Sequence, residues 1–289
     1  MDAIQALIER ALEEDLNSSA DHIAADLTTS RIVPEHARAR ASIIARQAGV
    51  VAGLDVAHAV FQRLDPDVGF EAHVKEGDIV DDGALIVQLQ GPANALLVGE
   101  RTALNFLQHL SGVATLTHTY AQTIAGTGAR ITDTRKTTPG LRQCEKRAVT
   151  LGGGVNHRLG LYDAVLIKEN HAATVGGVGE AMRLARQKGD DVPIFVEVCD
   201  LEEVDAVLPT QPDRIMLDNM DPQTMRQAVE LIRQTHPDIT IEATGGITQD
   251  SVRRAAETGV DLISIGALTH SAPTMDMSML FEADKTNDD

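Results

Sequence analysis

The sequence is poor in aromatic residues, with five phenylalanines, two tyrosines and no tryptophan. A core without large rings must be built from Ala, Val, Leu and Ile, and this aliphatic composition favours helices packed on a buried parallel sheet. Nucleic acids are bound by broad basic surfaces, and single strands usually stack on aromatic side chains. The few aromatics and a formal net charge of −18 therefore argue against a nucleic-acid partner.

Long apolar runs and functionally spaced cysteines are also absent. No stretch approaches the roughly 20 apolar residues of a transmembrane helix, so no membrane partner is expected. The opening sequence MDAIQALIERALEEDL predicts an acidic amphipathic helix, because it lacks the basic start and apolar centre of a signal peptide. Cys144 and Cys199 have neither metal-site nor disulfide-framework spacing, which favours reduced thiols and a cytoplasmic protein.

The first part of the chain has a mixed pattern. Residues 17–30 are polar and are predicted as a loop. Residues 39–53 predict a strand, a turn and a short strand, and 54–64 a helix, because its apolar residues recur with a period of about 3.6. Short strands follow up to Pro92, where a long helix begins. We expect Ser111-Gly112 to interrupt this helix, with a helical pattern resuming to about residue 125.

In the second part of the chain, short apolar segments recur at intervals, namely ARITD, DAVLIK, PIFVEV, RIMLD, ITIEA and DLISIG. Helical patterns lie between most of them, which predicts βαβ units and a parallel sheet. At least six strands between residues 129 and 266 predict a closed or nearly closed α/β barrel, with an open doubly wound sheet as the alternative. We predict an N-terminal α/β domain of residues 1–112, a barrel domain of 113–270, and a tail of 271–289 that packs back toward the N-terminal domain.

Polar residues stand where each predicted barrel strand ends, and active residues of α/β barrels lie at these carboxyl ends. The first strand runs into TDTRKTTPGLR, where an acidic protein concentrates Arg135, Lys136 and Arg142. We expect these cations to help form a pocket for a small substrate with several negative charges. Further residues at strand ends are Lys168, Glu197, Asp218, Asn219, Thr244, Gly245, Gly246 and Gly266.

The cations and acids predict complementary roles. With His157 and Arg158 of GGGVNHR, the basic residues suit a dicarboxylate or a phosphorylated sugar, because Arg forks bind carboxylates and Lys is a compact charge. The alternative is a set of solvated surface charges. Glu197 and Asp218 would hold Mg²⁺ or stabilise a developing cation, or else form ion pairs with nearby bases. The glycines of ATGGI and SIGAL predict a phosphate site, with tight turns as the alternative.

Seven motifs in order between residues 100 and 271 resemble one family. They are ERTALNFLQHLSGVAT, TDTRKTTPGLR, GGGVNHRLGLYDAVLIKENH, FVEV, RIMLDN, EATGGI and GVDLISIGALTHS. In these motifs the chain resembles quinolinate phosphoribosyltransferase, also called nicotinate-nucleotide pyrophosphorylase (carboxylating). The resemblance implies an N-terminal α/β domain followed by an incomplete α/β barrel. It also implies a Mg²⁺-dependent reaction of quinolinate with phosphoribosyl pyrophosphate that gives nicotinate mononucleotide, pyrophosphate and CO₂ for NAD synthesis.

The resemblance further implies a homodimer, or an assembly of dimers, in which Arg101 reaches the partner's active site. The implied substrate-binding residues are Arg101, Thr134, Arg135, Lys136, His157, Arg158, Lys168, Glu197 and Asp218. Four of them, Lys136, Lys168, Glu197 and Asp218, are the implied catalytic residues, and Glu197 and Asp218 would hold Mg²⁺ directly or through water. The implied phosphate-binding residues are Thr244, Gly245, Gly246, Ile265, Gly266, Ala267 and His270.

Two rival functions stay open at this point. One is a nicotinate phosphoribosyltransferase-like enzyme of the same architecture, and the cations around GGGVNHR favour a dicarboxylate over that substrate. The other is a non-catalytic barrel that binds a metabolite. The presence of both Glu197 and Asp218 beside the cations argues against it.

Overall fold

The computed structural model describes residues 3–17, 22–189 and 191–282. The chain divides into one compact unit of residues 1–116 and 272–289 and a second unit of residues 117–271. The division falls within the helix α5, Ala93–Thr123. None of the helices in the described ranges is both long and apolar enough to cross a bilayer.

The first unit contains a four-stranded antiparallel sheet. Its elements, in chain order, are α1 Ala3–Leu16, α2 His22–Ala25, α3 Thr29–Ile32, β1 Arg38–Ala45, β2 Gly49–Val50, α4 Leu54–Leu64, β3 Gly69–Ala72, β4 Ile79–Val80, β5 Leu85–Pro92 and the first part of α5. The last strand of the described chain, β12, Met277–Glu282, also belongs to this unit. The sheet order is β12-β1-β5-β3, and β2 pairs with β4 separately. The predicted helix over 1–16 is confirmed for its described residues 3–16, and the helix over 54–64 and the strands between 39 and 92 are also confirmed.

The prediction of a loop over residues 17–30 is wrong for its described part, since α2 and α3 lie there; residues 18–21 lie outside the described residues. The Asp26 carboxylate stabilises the start of α3. It accepts hydrogen bonds from the backbone N–H groups of Thr28 and Thr29, at 2.9 and 3.3 Å. A side-chain acceptor at this position satisfies donors that the first helical turn leaves unpaired.

The predicted interruption of α5 at Ser111-Gly112 is also wrong, because the helix runs through both residues. The small residues instead permit close packing within the first unit. The Ser111 hydroxyl accepts a hydrogen bond from the Ala52 N–H at 2.9 Å and donates one to the Ala52 carbonyl at 3.2 Å. A methyl group on Gly112 would lie 2.1 Å from the carbonyl oxygen of Pro273, so only glycine allows this approach.

The second unit alternates strands with helices. Its elements, after the end of α5, are β6 Arg130–Thr132, α6 Arg142–Leu151, β7 Val165–Ile167, α7 Glu169–Val175, α8 Val178–Arg186, β8 Ile194–Val198, α9 Leu201–Val207, a 3₁₀ turn Leu208–Thr210, β9 Arg214–Asp218, α10 Pro222–Thr235, β10 Thr240–Thr244, α11 Val252–Ala256, β11 Leu262–Ser264 and α12 Ala267–His270. Core side chains are aliphatic, as the composition predicts.

The parallel sheet of the second unit has the order β6-β11-β10-β9-β8-β7. Each strand from β8 to β11 pairs in parallel with the strand before it, and the first strand, β6, pairs with the last, β11. This winding is that of a barrel, and in the described residues no strand pairing joins β6 to β7. The prediction of a mixed α/β domain followed by an incomplete barrel is therefore confirmed, and the doubly wound alternative is excluded.

The strand register aligns polar side chains on one face of this sheet. Glu197 lies opposite Met216, which lies opposite Glu242. Asp218 comes two residues after Met216 and lies opposite Thr244. Because side chains alternate between the faces of a strand, all five share one face.

Candidate active site

A cavity of about 690 Å³ lies at the carboxyl ends of the barrel strands. It brings together the predicted residues Thr134, Arg135, Lys136, His157, Arg158, Lys168, Glu197, Asp218, Thr244, Gly245, Gly246, Gly266, Ala267 and His270. The sequence prediction missed the lining residues Leu166, Met216, Ile247, Thr248 and Ser264, and it gave no role to Asn219. The exit of every strand therefore contributes to one site.

Two of the residues that the family resemblance assigns to substrate or phosphate binding do not line the cavity. Ile265 is buried, and its N–H donates a 3.0 Å hydrogen bond to the Thr132 carbonyl, so the sheet has already used this donor. Its assignment to a phosphate site is wrong for this reason. Arg101 lies on α5 in the first unit and is exposed. Its proposed position in a partner's site stays a prediction.

Four basic side chains line the cavity against two carboxylates, in a chain whose net charge is −18. Within the described ranges, neither the Arg135 guanidinium nor the Lys136 ammonium has a hydrogen-bond or ion-pair partner. Arg158 donates through Nη1 to the Ala164 carbonyl at 2.8 Å, and its Nε has no partner. Burial and then the charge of Arg135 lower the pKa of Arg158. The two guanidinium groups are therefore close enough to repel, and a bound anion would relieve this repulsion.

His157 is a neutral group here rather than the switchable cation that the sequence predicts. Its side chain is 5% exposed, and Nδ1 accepts a 2.8 Å hydrogen bond from the Arg158 N–H, which leaves the proton on Nε2. Burial, followed by the charges of Arg214, Lys146, Arg158 and Lys168, lowers its pKa to about 3. His157 thus contributes polarity to the cavity at neutral pH, and no charge.

The two acids have different surroundings. Glu197 forms an ion pair with Lys168, as the alternative interpretation of this residue expects. Asp218 accepts a 3.1 Å hydrogen bond from the Asn219 side-chain amide. The described residues contain no group of three His, Cys, Asp or Glu side chains able to hold a metal by themselves. Two carboxylates nevertheless fit Mg²⁺, which commonly takes its other ligands from water and substrate phosphates.

Asn219 and Gly245 form a tightly packed corner of the cavity. Asn219 has a φ of +53°, a conformation that few residues other than glycine adopt, and its N–H donates to the Thr244 carbonyl at 3.0 Å. Gly245 has a φ of +89°, and a methyl group there would lie 2.4 Å from the Asn219 side-chain oxygen. Glycine is therefore required both by backbone conformation and by the neighbouring amide. This corner joins Asp218, at the end of β9, to the ATGGI turn.

We predict that Gly245→Ala loosens this corner and weakens binding of a phosphate-containing ligand about 10-fold or more, since a displacement of about 1 Å in a site is this costly. Gly128→Ala is a matched control, because Gly128 has a φ of +86° with no atom within 4 Å of the added methyl. Both variants bear the conformational cost of a positive φ, roughly 1 kcal/mol. Thermal melting and phosphate-ligand affinity, measured together, check the prediction. Equal affinity in the two variants would contradict it.

A buried charged pair lies beneath the cavity, and the sequence prediction missed it. Glu242 accepts a 2.7 Å hydrogen bond from Arg214 Nη1 and a further one from the Ser264 hydroxyl. Arg214 also lies 4.3 Å from the centre of the Phe195 ring, and Glu242 Oε2 is 3.8 Å from His157 Nε2. Burial raises the pKa of Glu242. The available signal was a carboxylate in the middle of the apolar strand ITIEA, which requires a buried partner.

Arg142 is not part of the cavity wall, contrary to the sequence prediction. Its guanidinium is used in hydrogen bonds to protein groups.

Cys199 is exposed, and neither cysteine forms a disulfide in the described chain. Burial and the carboxylates of Glu203 and Asp218 raise the pKa of Cys199, which does not favour a nucleophilic role.

Comparisons with known proteins agree with this arrangement of elements. Models of the N- and C-terminal domains of quinolinate phosphoribosyl transferase match residues 26–111 and 113–280. Nicotinate-nucleotide pyrophosphorylase [carboxylating] of Mycobacterium leprae is 41% identical over 96% of this chain and 97% of its own. A probable enzyme of the same name from Synechocystis is 43% identical over 96% and 92%. The crystal structure of NadC from Streptococcus pyogenes superposes with a TM-score of 0.89 at 40% identity over 96% and 95%. The chain belongs to the quinolinate phosphoribosyltransferase family.

Proposed function

We propose that the protein transfers the phosphoribosyl group of phosphoribosyl pyrophosphate to quinolinate and decarboxylates the product. The reaction gives nicotinate mononucleotide, pyrophosphate and CO₂ and serves de novo NAD biosynthesis. The observation that carries this proposal is that Arg135 and Arg158 line one cavity together with Glu197 and Asp218. Family membership supports the same reaction.

Quinolinate carries two adjacent carboxylates on its ring. Guanidinium groups bind carboxylates through paired hydrogen bonds, and Arg135 and Arg158 retain unused donors. Lys168 supplies a third cation, already balanced by Glu197. Holding both carboxylates orients the ring nitrogen toward the sugar, and orientation of this kind lowers barriers by roughly 7–11 kcal/mol in favourable cases.

The sugar substrate would lie across the remainder of the cavity. Its 5′-phosphate fits beside Thr244, Gly245 and Gly246, with Gly266, Ala267 and His270 opposite, where glycines let the backbone approach an anion. As the bond from C1 to pyrophosphate breaks, positive charge develops on the sugar. Glu197 and Asp218 stabilise this charge, while Lys136 stabilises the departing pyrophosphate.

Mg²⁺ is the cofactor that we propose, held by Glu197 and Asp218 directly or through water. When bound it would neutralise pyrophosphate oxygens as negative charge accumulates on them. The two carboxylates fit this role because they leave most coordination positions to water and phosphate. The chain's own task is to place these carboxylates beside the sugar and to hold Lys136 near the leaving group.

Decarboxylation follows from the product of the transfer step. Once C1 is bonded to the ring nitrogen, that nitrogen is a pyridinium. The bond from ring C2 to its carboxylate then breaks, CO₂ leaves, and the electron pair at C2 is stabilised by the adjacent positive nitrogen until a proton is added. No covalent enzyme intermediate is needed, so the absence of an activated nucleophile among the lining residues is consistent with the scheme.

We also propose that the enzyme is a cytoplasmic homodimer in which Arg101 is donated to the partner's cavity. An exposed arginine in the first unit supports this proposal. Mixing an Arg101→Ala variant with an Asp218→Asn variant, each strongly impaired alone, is expected to restore activity, because hybrid dimers contain one site with both native residues. Lack of any recovery in mixtures that exchange subunits would contradict the shared site.

Carboxyl-labelled substrates test the reaction itself. With phosphoribosyl pyrophosphate and Mg²⁺, quinolinate labelled at its 2-carboxylate is expected to yield labelled CO₂, pyrophosphate and nicotinate mononucleotide in equal amounts. Nicotinate is expected to give no product. Turnover of nicotinate would favour the rival enzyme, and binding of quinolinate without pyrophosphate release would favour a non-catalytic barrel.

A further inference from the structure

We propose that α6 is a positioning helix whose residues Arg142 and Lys146 fix the distance between Arg135 and Arg158 without contacting the substrate. The inference rests on the proposed function, since it identifies the dicarboxylate as the ligand of that arginine pair. Neither Arg142 nor Lys146 lines the cavity. They are four residues apart and therefore project from the same face of the helix.

Arg142 joins the two segments that carry the paired arginines. From one side, its Nε donates to the Thr137 hydroxyl at 2.9 Å and its Nη2 to the carbonyl of Arg135 at 3.3 Å. From the other side, its Nη1 donates to the carbonyl of Leu159 at 3.2 Å. Leu159 directly follows Arg158 in the chain. One rigid guanidinium thus sets the spacing of two segments that are separated in sequence.

Lys146 holds the second segment from beneath, together with Asp133. Asp133 is 0% and Lys146 2% exposed, and the two form an ion pair. The His157 peptide closes this pair, because its N–H donates to Asp133 Oδ1 at 2.9 Å and its carbonyl accepts from Lys146 Nζ at 3.0 Å. With its side-chain amide oriented for hydrogen bonding, Asn156 donates to Asp133 Oδ2 at 2.6 Å.

The same helix face reaches the first segment again through Glu145, which accepts a 3.1 Å hydrogen bond from the Thr138 N–H. Burial raises the pKa of Asp133 and lowers that of Lys146, so desolvation opposes the two charges of this ion pair. Apolar residues of similar volume would often stabilise a protein as well as a buried ion pair does. What they would lack is the set of directed hydrogen bonds to the backbone that carries His157 and Arg158.

Arg142→Lys and Arg142→Met separate positioning from charge. Lysine keeps the positive charge but lacks the fork that joins both segments. If α6 acts by positioning, both variants raise the KM for quinolinate about 10- to 100-fold, and the KM for phosphoribosyl pyrophosphate changes less than about threefold. A normal quinolinate KM in both variants would overturn the inference, as would a rise confined to Arg142→Met, which would assign the effect to charge alone.

The buried ion pair between Asp133 and Lys146 gives a second test, whose result can be interpreted even if a variant is less stable than the wild type. Lys146→Met leaves Asp133 unpaired and is expected to lower the melting temperature, whereas Asp133→Asn combined with Lys146→Met removes both charges and is expected to recover much of it. The double variant should still show the raised KM for quinolinate, because the contacts of Lys146 with the His157 carbonyl are gone. A double variant with native stability and native KM would overturn the positioning role.

Arg233→Met is the matched control for lost stability. Arg233 Nη2 donates to both carboxylate oxygens of Asp261, at 2.7 and 2.6 Å, and Asp261 accepts from the Ile241 N–H near the amino end of β10, away from the cavity. This variant is expected to melt earlier with both KM values unchanged. If the wild-type enzyme fails to turn over quinolinate, the proposed function is wrong. If it succeeds and the α6 variants keep its KM, only the positioning role is wrong.

Discussion

Replacing Arg158 by methionine is expected to raise the KM for quinolinate about 100-fold or more, with no comparable change in the KM for phosphoribosyl pyrophosphate. Removing one partner of a desolvated charge pair typically costs 2–5 kcal/mol, and about 2.7 kcal/mol corresponds to a factor of 100. Methionine retains the apolar stem, so most of the packing of the half-buried side chain is preserved. The loss therefore reports on the guanidinium.

Steady-state kinetics with each substrate varied in turn measure this effect. Arg226→Met is the matched control, because Arg226 is an exposed residue of α10 that lies outside the cavity. It is expected to leave both KM values within about twofold of the wild type. If Arg158→Met also stayed within that range, Arg158 would have no place in the substrate site.

The second large effect is expected for Asp218→Asn, which should lower kcat about 100- to 1,000-fold while KM values change much less. Asparagine has nearly the same shape but no negative charge. The scheme uses that charge mainly when positive charge develops at C1, and losing one such stabilising group usually costs two to three orders of magnitude in rate. The folded structure should persist, because within the described residues the one side-chain hydrogen bond of Asp218 is the 3.1 Å bond that it accepts from Asn219.

Asp213→Asn provides the same chemical change near the start of the same strand. Asp213 accepts hydrogen bonds from the Ile194 N–H at 2.8 Å and from Arg186 at 3.1 Å, and it does not line the cavity. Its replacement is expected to affect thermal stability more than kcat. Single-turnover measurements would contradict the assignment of Asp218 if Asp218→Asn retained the wild-type rate of pyrophosphate release.

The strand-end residues were predictable because chain geometry fixes their location. Lys168 follows β7, Glu197 lies near the end of β8, and Asp218 and Thr244 end β9 and β10. Parallel strands bring their carboxyl ends to one edge of the sheet. A correct prediction of the strand ends was therefore sufficient to predict that these side chains lie close together. The same period of two explains the error at Ile265, whose neighbour Gly266 lines the cavity while Ile265 points into the core.

Other features depend on contacts that no local pattern encodes. Arg142 and Arg135 look alike as members of one basic segment, yet the start of α6 at Arg142 turns its guanidinium onto backbone carbonyls. The charge state of His157 depends on burial and on cations from three other segments. The Arg214–Glu242 pair joins residues 28 positions apart. Hydrogen bonds across such separations follow from tertiary packing, and the sequence signals only that a buried charge needs a partner.

A crystal structure with quinolinate and an unreactive analogue of phosphoribosyl pyrophosphate tests the central claim most directly. The account predicts that one or both quinolinate carboxylates lie about 3 Å from the guanidinium nitrogens of Arg135 and Arg158, with the ring nitrogen facing C1 of the sugar. Glu197 and Asp218 should lie on the sugar side of the same cavity. Quinolinate bound with neither carboxylate at these arginines would contradict the account.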